Sequence, residues 1–218
     1  GYNEGYPTQN VGVTGFKWGG NFEISGGMID HNNAGVQIAG GAVIGGGRIT
    51  DNIPTGQLTA NDVMSGSGAG IRIAKTGLAD GTRIGLTIIS DPITNADESD
   101  KQYFFSGSPY LYVAYDKDKR ELFMEQIPAG SNKISVQCSE GGTVTVDEVA
   151  KATDPVTFTV TVDKDYQLKR LVVSSGGNPV EYDDNKDGTY TFTMPQAAVT
   201  ILAEFKKATA VSHTHDDL

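Results

Sequence analysis

The apolar positions in the first third of the chain recur at a fixed interval of 20 residues. Residues 22–41 (FEISGGMIDHNNAGVQIAGG) align without a gap on residues 42–61 (AVIGGGRITDNIPTGQLTAN). The aligned positions carry like residues: Ile24 and Ile44, Gly26 and Gly46, Gly27 and Gly47, Ile29 and Ile49, Asn32 and Asn52, Gln37 and Gln57, Ile38 and Leu58, with Trp18 standing 20 residues before Ile38. A fixed period of this length predicts a solenoid in which equivalent side chains stack in columns.

The residues within the repeat favour strands over helices. Short β-type segments are broken by glycine pairs, each glycine of which would cost about 1 kcal/mol in a helix relative to alanine. Strands of successive turns would pair in parallel about 4.8 Å apart, with glycine supplying the positive φ of the corners. Asn32 and Asn52 could form a hydrogen-bonded ladder. The LxxLxLxxN spacing of a leucine-rich repeat is absent, so we predict a parallel β-helix.

The middle of the chain also predicts strands. Short aliphatic runs are interrupted by turn signals; the aliphatic residues are Ile71, Ile73, Ile84, Leu86, Ile88 and Ile89, and the interruptions are Gly77, Asp80-Gly81 and Asp91-Pro92. Residues 110–115 and 121–124, joined by the polar turn 116–119, predict a hairpin. We expect this hairpin to close the end of the solenoid, where an uncovered strand would invite aggregation.

The pattern of apolar and polar residues changes after the small and turn-forming residues 128–132, which indicates a domain boundary there. Apolar and polar residues alternate through 133–207, which predicts six or seven short strands in a half-buried antiparallel sandwich. The fold class predicted from the whole sequence is therefore all-β. We expect parallel β-helix coils with closing strands over 1–130, a β-sandwich over 131–207 and a flexible tail over 208–218.

Segments of the first region resemble a known architecture. FEISGGMIDHN and AVIGGGRITDN look like the "SGGTISGN" coils of right-handed β-helix surface proteins from Gram-positive gut and soil bacteria. Residues 81–87, 103–106 and 115–118 are similar to the closing coils that follow those repeats. The resemblance covers roughly residues 15–127 and implies an architecture, since its motifs are of low complexity.

The second region resembles a different module. GGTVTV, VTFTVTVDKDYQLKRLVV and DDNKDGTYTFTMPQAAVTILAEFK are similar to the small Ig-like repeat of cell-wall and S-layer-associated bacterial proteins. The resemblance spans residues 140–206, and its ending, DGTYTFTMP followed by VTI.AEF, is its most specific part. It implies a spacer or adhesive role without catalytic residues.

Composition and charge narrow the class of partner. The formal net charge of −10 argues against nucleic acid or an anionic membrane, because phosphate contacts need clustered cations. No apolar run approaches the roughly 20 residues of a membrane span. Because residue 1 is glycine, we expect a processed or excised piece of a larger protein. Cys138 is the single cysteine, which rules out an internal disulfide, and the alternation around it predicts a buried thiol in a strand.

Residues 183–188 satisfy D-x-N-x-D-G, the first half of a calcium loop. An EF-hand also needs a bidentate glutamate at position 12, where this chain has Met194, and flanking helices. We therefore interpret Asp183–Gly188 as a hairpin turn with Asp-Gly at its corner. A weak surface calcium site at Asp183–Asp187 is the alternative.

Acidic clusters raise the hypothesis of a polysaccharide lyase, since β-helix lyases use grouped carboxylates to hold calcium and a basic residue on the sheet. The carboxylates are Asp97, Glu98, Asp100, Asp116 and Asp118, and the basic candidates are Arg48, Arg72 and Arg83. Loop carboxylates in a polar sequence are more simply explained as solvated charge. We prefer that interpretation.

A dense group of aromatic residues suggests a sugar-stacking surface: Tyr103, Phe104, Phe105, Tyr110, Tyr112 and Tyr115. Because alternate strand residues point to opposite faces, we expect half of them to be core. His31 stands alone at a coil corner, and His213 and His215 lie in the tail.

No nucleophile elbow, zinc-protease, P-loop or dinucleotide motif occurs. We therefore predict no catalytic, cofactor or metal residues, and no cofactor. The expected function is that of an extracellular structural or adhesive module of a bacterial surface protein, with carbohydrate, a host surface or the cell wall as partner. The alternative is a fragment of a β-helix polysaccharide lyase or hydrolase.

Overall fold

The computed structural model describes residues 11–15, 22–30, 34–38, 40–50, 52, 62–66 and 68–208. The chain divides into two compact units, residues 1–129 and 130–218. The first unit contains β1 Val11–Gly15, β2 Phe22–Asp30, β3 Ala34–Ile38, β4 Ala42–Thr50, β5 Val63–Ser65, β6 Ile71–Ile73, β7 Arg83–Ile89, β8 Ile93–Thr94, a 3-10 helix Glu98–Tyr103, β9 Phe104–Ser106, β10 Leu111–Asp116 and β11 Glu121–Gln126. Over the described ranges, no helix has the length and apolar character needed to cross a membrane.

Nine strands of the first unit stack in three parallel columns. One column contains β1, β3, β5 and the second half of β7, with Val36 paired to Val63 and Val63 to Leu86. A second column contains the first halves of β2 and β4, then β6 and β8. The third contains the second halves of β2 and β4, the first half of β7, and β9. The inward side chains of all three columns form one apolar core.

The 20-residue register is confirmed between β2 and β4. Ile24 pairs with Ile44, and Ile29 pairs with Ile49. The expected positive φ occurs at one glycine of each pair, with φ of 86° at Gly27 and 105° at Gly47. The predicted match of Gly26 with Gly46 is wrong, because the register shifts at the glycines and Gly46 pairs with Ser25. The remaining predicted matches involve Trp18, Asn32, Gln57 and Leu58, which lie outside the described residues.

The next turn of the stack is longer than the repeat predicts. Ile44 pairs with Ile73, 29 residues later, and Ile49 pairs with Ile84, 35 residues later. The extra residues fall between strands, after β4 and between β6 and β7. The interval then returns to 20 residues, because Ile84 pairs with Phe104. The columns therefore continue across connections of unequal length.

The predicted hairpin is confirmed as β10 and β11, which pair antiparallel from Leu111 with Gln126 to Asp116 with Glu121. β11 also pairs antiparallel with β8, through Leu122 and Ile93. The hairpin thus covers the edge of the last parallel strand in the second column. Val113 and Leu122 contribute its inner face to the apolar core.

In its described part, residues 130–208, the second unit contains nine strands in two sheets: β12 Ser131–Cys138, β13 Gly142–Thr145, β14 Val149–Lys151, β15 Pro155–Val162, β16 Tyr166–Ser175, β17 Asn178–Pro179, β18 Tyr182–Asp184, β19 Thr189–Thr193 and β20 Val199–Lys207. One sheet has the order β14-β12-β20-β16-β17 and the other β13-β15-β19-β18. Both sheets supply one core, including Phe158, Phe192, Ile134 and Ile201. The alternation of apolar residues predicted this arrangement of facing sheets.

Three details of the second unit differ from the sequence expectation. Its described residues form nine strands, whereas the alternation predicts six or seven. The sheets are not purely antiparallel, because β12 and β20 pair in parallel from Ile134 with Val199 to Cys138 with Ala203. Cys138 lies in a strand as predicted, but its position at the end of β12 leaves it half-buried. The predicted tail falls, after Ala208, outside the described residues.

Candidate functional site: the outer face of the β10–β11 hairpin

The two faces of the β10–β11 hairpin have different environments. Val113 and Leu122 are 1% and 0% exposed on the inner face, where Tyr115 and Met124 also pack against the core. Strand geometry turns the alternate residues to the opposite side. We call that side the hairpin face; it carries Tyr112, Ala114, Asp116, Glu121, Phe123 and Glu125.

A tyrosine and a glutamate stand directly opposite each other on the hairpin face. Tyr112 pairs in register with Glu125, and its hydroxyl donates a 2.7 Å hydrogen bond to Glu125 Oε2. This bond, together with burial and the nearby negative charge, raises the pKa of Tyr112 to about 12. Ionising the phenol beside a carboxylate is unfavourable, so Tyr112 stays a neutral donor and its ring is held in one orientation.

Two other aromatic residues lie near Tyr112: Tyr110 beside the hairpin face and Phe123 on it. Tyr110 is 77% exposed, and its carbonyl accepts from the Ile127 backbone N–H at 3.0 Å, which continues the ladder of the hairpin. Tyr110 lies in the turn directly before β10, so it borders the hairpin face at the Tyr112 end. Phe123 is half-buried and pairs with Ala114, which puts it diagonally across from Tyr112. Ala114 itself is only 8% exposed.

The carboxylates of the hairpin face are unequally neutralised. Asp116 accepts from the backbone N–H groups of Asp118 and Lys119 at 3.0 and 3.1 Å, and Lys119 Nζ lies 3.3 Å from it. These contacts, led by the Lys119 backbone N–H, lower the pKa of Asp116. In the part of the chain that the structure describes, neither Glu121 nor Glu125 has a cationic partner. The aromatic end is therefore negatively charged.

The six aromatic residues singled out from sequence divide between core and surface. Phe104 is 3% exposed in the core, Tyr103 packs against the core, and the Tyr115 hydroxyl donates to the Ala96 carbonyl at 3.4 Å. The Arg83 guanidinium carbon lies 4.4 Å from the centroid of the Phe105 ring. Of the six, only Tyr112 lies on the hairpin face, and Tyr110 lies in the turn beside it. Sequence reasoning missed Phe123 because that residue stands on the partner strand.

The three arginine candidates occupy two columns. Arg48 pairs in register with Arg83, whereas Arg72 is exposed and pairs with Thr94 in another column. Arg83 is only 7% exposed. The structure therefore brings two of the three together, and one of those two is occupied in covering Phe105.

The acidic residues after β8 serve the ends of local elements. The Asp100 carboxylate accepts from the Asp97 backbone N–H at 2.7 Å at the start of the 3-10 helix. Asp97 forms a 2.7 Å ion pair with Arg120. Asp97 and Asp100 thus help to fix the loop that carries them.

The predicted hairpin is present, with Asp183 and Asp184 as the last residues of β18 and residues 185–188 as the turn that leads to the antiparallel strand β19. The Asp184 carboxylate accepts from the Lys186 backbone N–H and side chain, both at 2.8 Å, and Asp187 accepts from Thr189. The side-chain bonds, foremost among these contacts, lower the pKa values of Asp184 and Asp187. Met194, at position 12, is 1% exposed in the core. Over the described ranges, no group of three or more His, Cys, Asp or Glu residues could hold a metal ion.

A buried polar corner was not anticipated from sequence. Asp62 is 0% exposed, and its Oδ1 accepts from the Asn52 backbone N–H at 3.0 Å and from Asn52 Nδ2 at 2.9 Å. Asn52 Nδ2 also donates to the Ile29 carbonyl of the preceding turn at 2.9 Å. Gly35 and Gly85 provide the room, since a Cβ on either would collide with Asp62. This corner joins the ends of the connection between β4 and β5.

The histidines considered from sequence, His31, His213 and His215, lie outside the described residues. Comparison with curated proteins gives no match, and comparison with solved structures gives none either. Residues 132–209 match the family model of a divergent InlB B-repeat domain. The second unit is therefore similar to a bacterial surface repeat domain, a family that suggests a cell-surface or extracellular location.

Proposed function

We propose that the chain is a non-enzymatic, extracellular module of a bacterial surface protein, and that it binds carbohydrate through the hairpin face. The similarity of residues 132–209 to a divergent InlB B-repeat domain carries the assignment to a surface protein. The hairpin face supplies the binding surface. The first unit serves as a rigid element and the second as an Ig-like spacer.

The parallel columns support a further step, that residues 1–130 are the closing turns of a right-handed parallel β-helix. Three columns share one core, and Ile29, Ile49, Ile84 and Phe104 follow one another along one of them. Crossover connections between parallel strands of one sheet are right-handed in about 98% of cases. A crystal structure with left-handed turns would contradict this assignment.

The chemistry of the hairpin face suits a sugar. Aromatic rings stack against the C–H faces of sugar rings, and the oxygens of a fixed carboxylate accept from sugar hydroxyl groups. Tyr110 and Tyr112 supply the rings, and Glu125, already oriented by the Tyr112 hydroxyl, supplies the acceptor. Since Glu121 and Glu125 add negative charge, a neutral or amino sugar fits better than an acidic sugar.

A glycan array probed with the full chain tests the proposal. We expect binding to neutral or amino sugars, and a loss of at least about tenfold in affinity for Tyr110→Ala combined with Tyr112→Ala, as about 1.4 kcal/mol of lost aromatic contact implies. Met28→Ala is the matched control, because Met28 is an exposed apolar residue of another strand, at 56% exposure. Binding should survive in that variant.

Two results would overturn the proposal in different ways. Silence across the array would remove the adhesive role and leave a scaffold. Depolymerisation of an acidic polysaccharide by the full chain would refute the non-enzymatic assignment and favour the alternative, a fragment of a β-helix lyase or hydrolase.

A further inference from the structure

The first and last strands of the second unit lie side by side and run in the same direction. β12 pairs in parallel with β20 through five consecutive positions, Ile134–Val199 to Cys138–Ala203. The Ser139 backbone N–H donates to the Ala203 carbonyl at 3.1 Å, and the Phe205 backbone N–H donates to Ser139 Oγ at 2.8 Å. The contact therefore extends beyond the ladder itself.

Parallel neighbours place the entry and exit of this unit at opposite ends of the pair. The chain enters β12 at Ser131 and leaves β20 at Lys207. Tension applied on either side of residues 131–207 pulls the two strands past each other along their own axes. All hydrogen bonds between them are then loaded together, whereas strands peeled apart from one end lose their bonds one after another.

The core adds resistance to sliding in this direction. Ile134 on β12 and Ile201, Ala203 and Val199 on β20 are each at most 1% exposed in the apolar core. β20 is also held on its other side by β16, through nine register positions from Tyr166–Lys207 to Ser175–Val199. Sliding of β12 along β20 requires these packed side chains to leave their sites together.

We infer that the second unit is a force-bearing module in which the β12–β20 pair is a mechanical clamp against tension along the chain. This mechanical role is separate from carbohydrate binding and adds to the proposed spacer function. The clamp itself follows from the strand pairing; only its biological meaning rests on the proposed function. Forced unfolding is governed by the unfolding barrier rather than by equilibrium stability, so the direction of pulling becomes the decisive variable.

Single-molecule force spectroscopy on the full chain, pulled in two directions, tests the inference. In a Cys138→Ala background, handles at Ala129→Cys and Ala208→Cys load the pair lengthwise. Handles at Glu140→Cys and Ala208→Cys both attach at the far end of the pair and peel it open. Ala129, Glu140 and Ala208 are exposed, so both variants should fold alike, which equal unfolding midpoints in urea would verify.

We expect the rupture force in the lengthwise geometry to be several times that in the peeling geometry at the same pulling speed. The event is recognised by its length at roughly 3.3–3.6 Å per residue: residues 131–207 extend to about 250–280 Å in the lengthwise geometry, and residues 140–208 to about 220–250 Å in the peeling geometry. Equal forces in the two directions, or a weaker lengthwise response, would overturn the clamp. Neither result depends on whether the chain binds a glycan, so the proposed adhesive role is tested separately.

Discussion

Replacement of Gly85 by alanine tests the buried corner around Asp62. Gly85 is buried in β7, and a Cβ there would lie 2.7 Å from Asp62 Cγ and 2.9 Å from Asp62 Cβ, with Oδ2 closer still. The carboxylate must move, which endangers its two hydrogen bonds from Asn52. Overpacking costs about 1–3 kcal/mol, and a hydrogen bond to a charged group contributes about 1.5–3 kcal/mol. We expect Gly85→Ala to lower the free energy of unfolding by about 3 kcal/mol or more.

The assay must separate the two units, because they can unfold independently. Urea denaturation followed by circular dichroism gives the free energy, and hydrogen exchange of peptides from β7 assigns the loss to the first unit. Gly45→Ala is the matched control: it lies in β4, and the nearest atom to its new Cβ, Ala74 Cβ, is 3.4 Å away. Its stability should change by less than about 1 kcal/mol. Equal stabilities of the two variants would refute the account of the corner.

Three further predictions concern the ion pair, the hairpin phenol and the second core. Lys133 Nζ lies 2.6 Å from Glu148 Oε1, and both side chains are nearly buried. Glu148→Gln should therefore lower the free energy of unfolding, measured with urea, by about 3–5 kcal/mol. The double variant Lys133→Met with Glu148→Leu should bring the free energy of unfolding back to that of the unmodified chain. Burial, the leading cause, lowers the pKa of Lys133; the folded unit therefore holds this proton more weakly than the unfolded chain. The free energy of unfolding, taken relative to that of Lys133→Met, should therefore rise with pH between the lowered pKa of Lys133 in the folded unit and its unfolded pKa of about 10.4. Urea denaturation at several pH values checks this. The pKa of Tyr112, about 12, should fall towards the ordinary value of about 10 in Glu125→Gln, as followed by ultraviolet absorbance at high pH. Phe158→Ala removes a ring that is 1% exposed and should cost the second unit about 3–5 kcal/mol, with hydrogen exchange of the first unit unchanged.

The columns were predictable only where the period is constant. Ile24 and Ile29 meet the residues 20 positions later, as the alignment predicts. The next partners, 29 and 35 positions on, are invisible to a search for a fixed interval, because pairing depends on where strands begin and is indifferent to the length of the connection between them. The sequence therefore predicts stacked parallel strands, but it does not predict where the longer turns begin and end.

Properties that depend on distant neighbours were beyond sequence reasoning. Asp62 stands in a polar segment and would be assigned to solvent; its burial follows from space left by Gly35 and Gly85, which belong to different turns. The parallel direction of β12 and β20 was missed because half-buried strands alternate apolar and polar residues in either direction. For the candidate site, the density of tyrosines indicated the region, but the membership of Phe123 needed the hairpin register.

The unequal connections of the first unit also bear on how such a protein changes over time. Ile49 and Ile84 stay paired although 35 residues separate them, so the fold accommodates longer connections between strands without breaking the core. Selection can therefore vary the exterior of one turn while the neighbouring turns keep their sequence. The same tolerance makes the stretch between Asn52 and Asp62, whose ends are joined by hydrogen bonds, a natural place to graft foreign peptides for display.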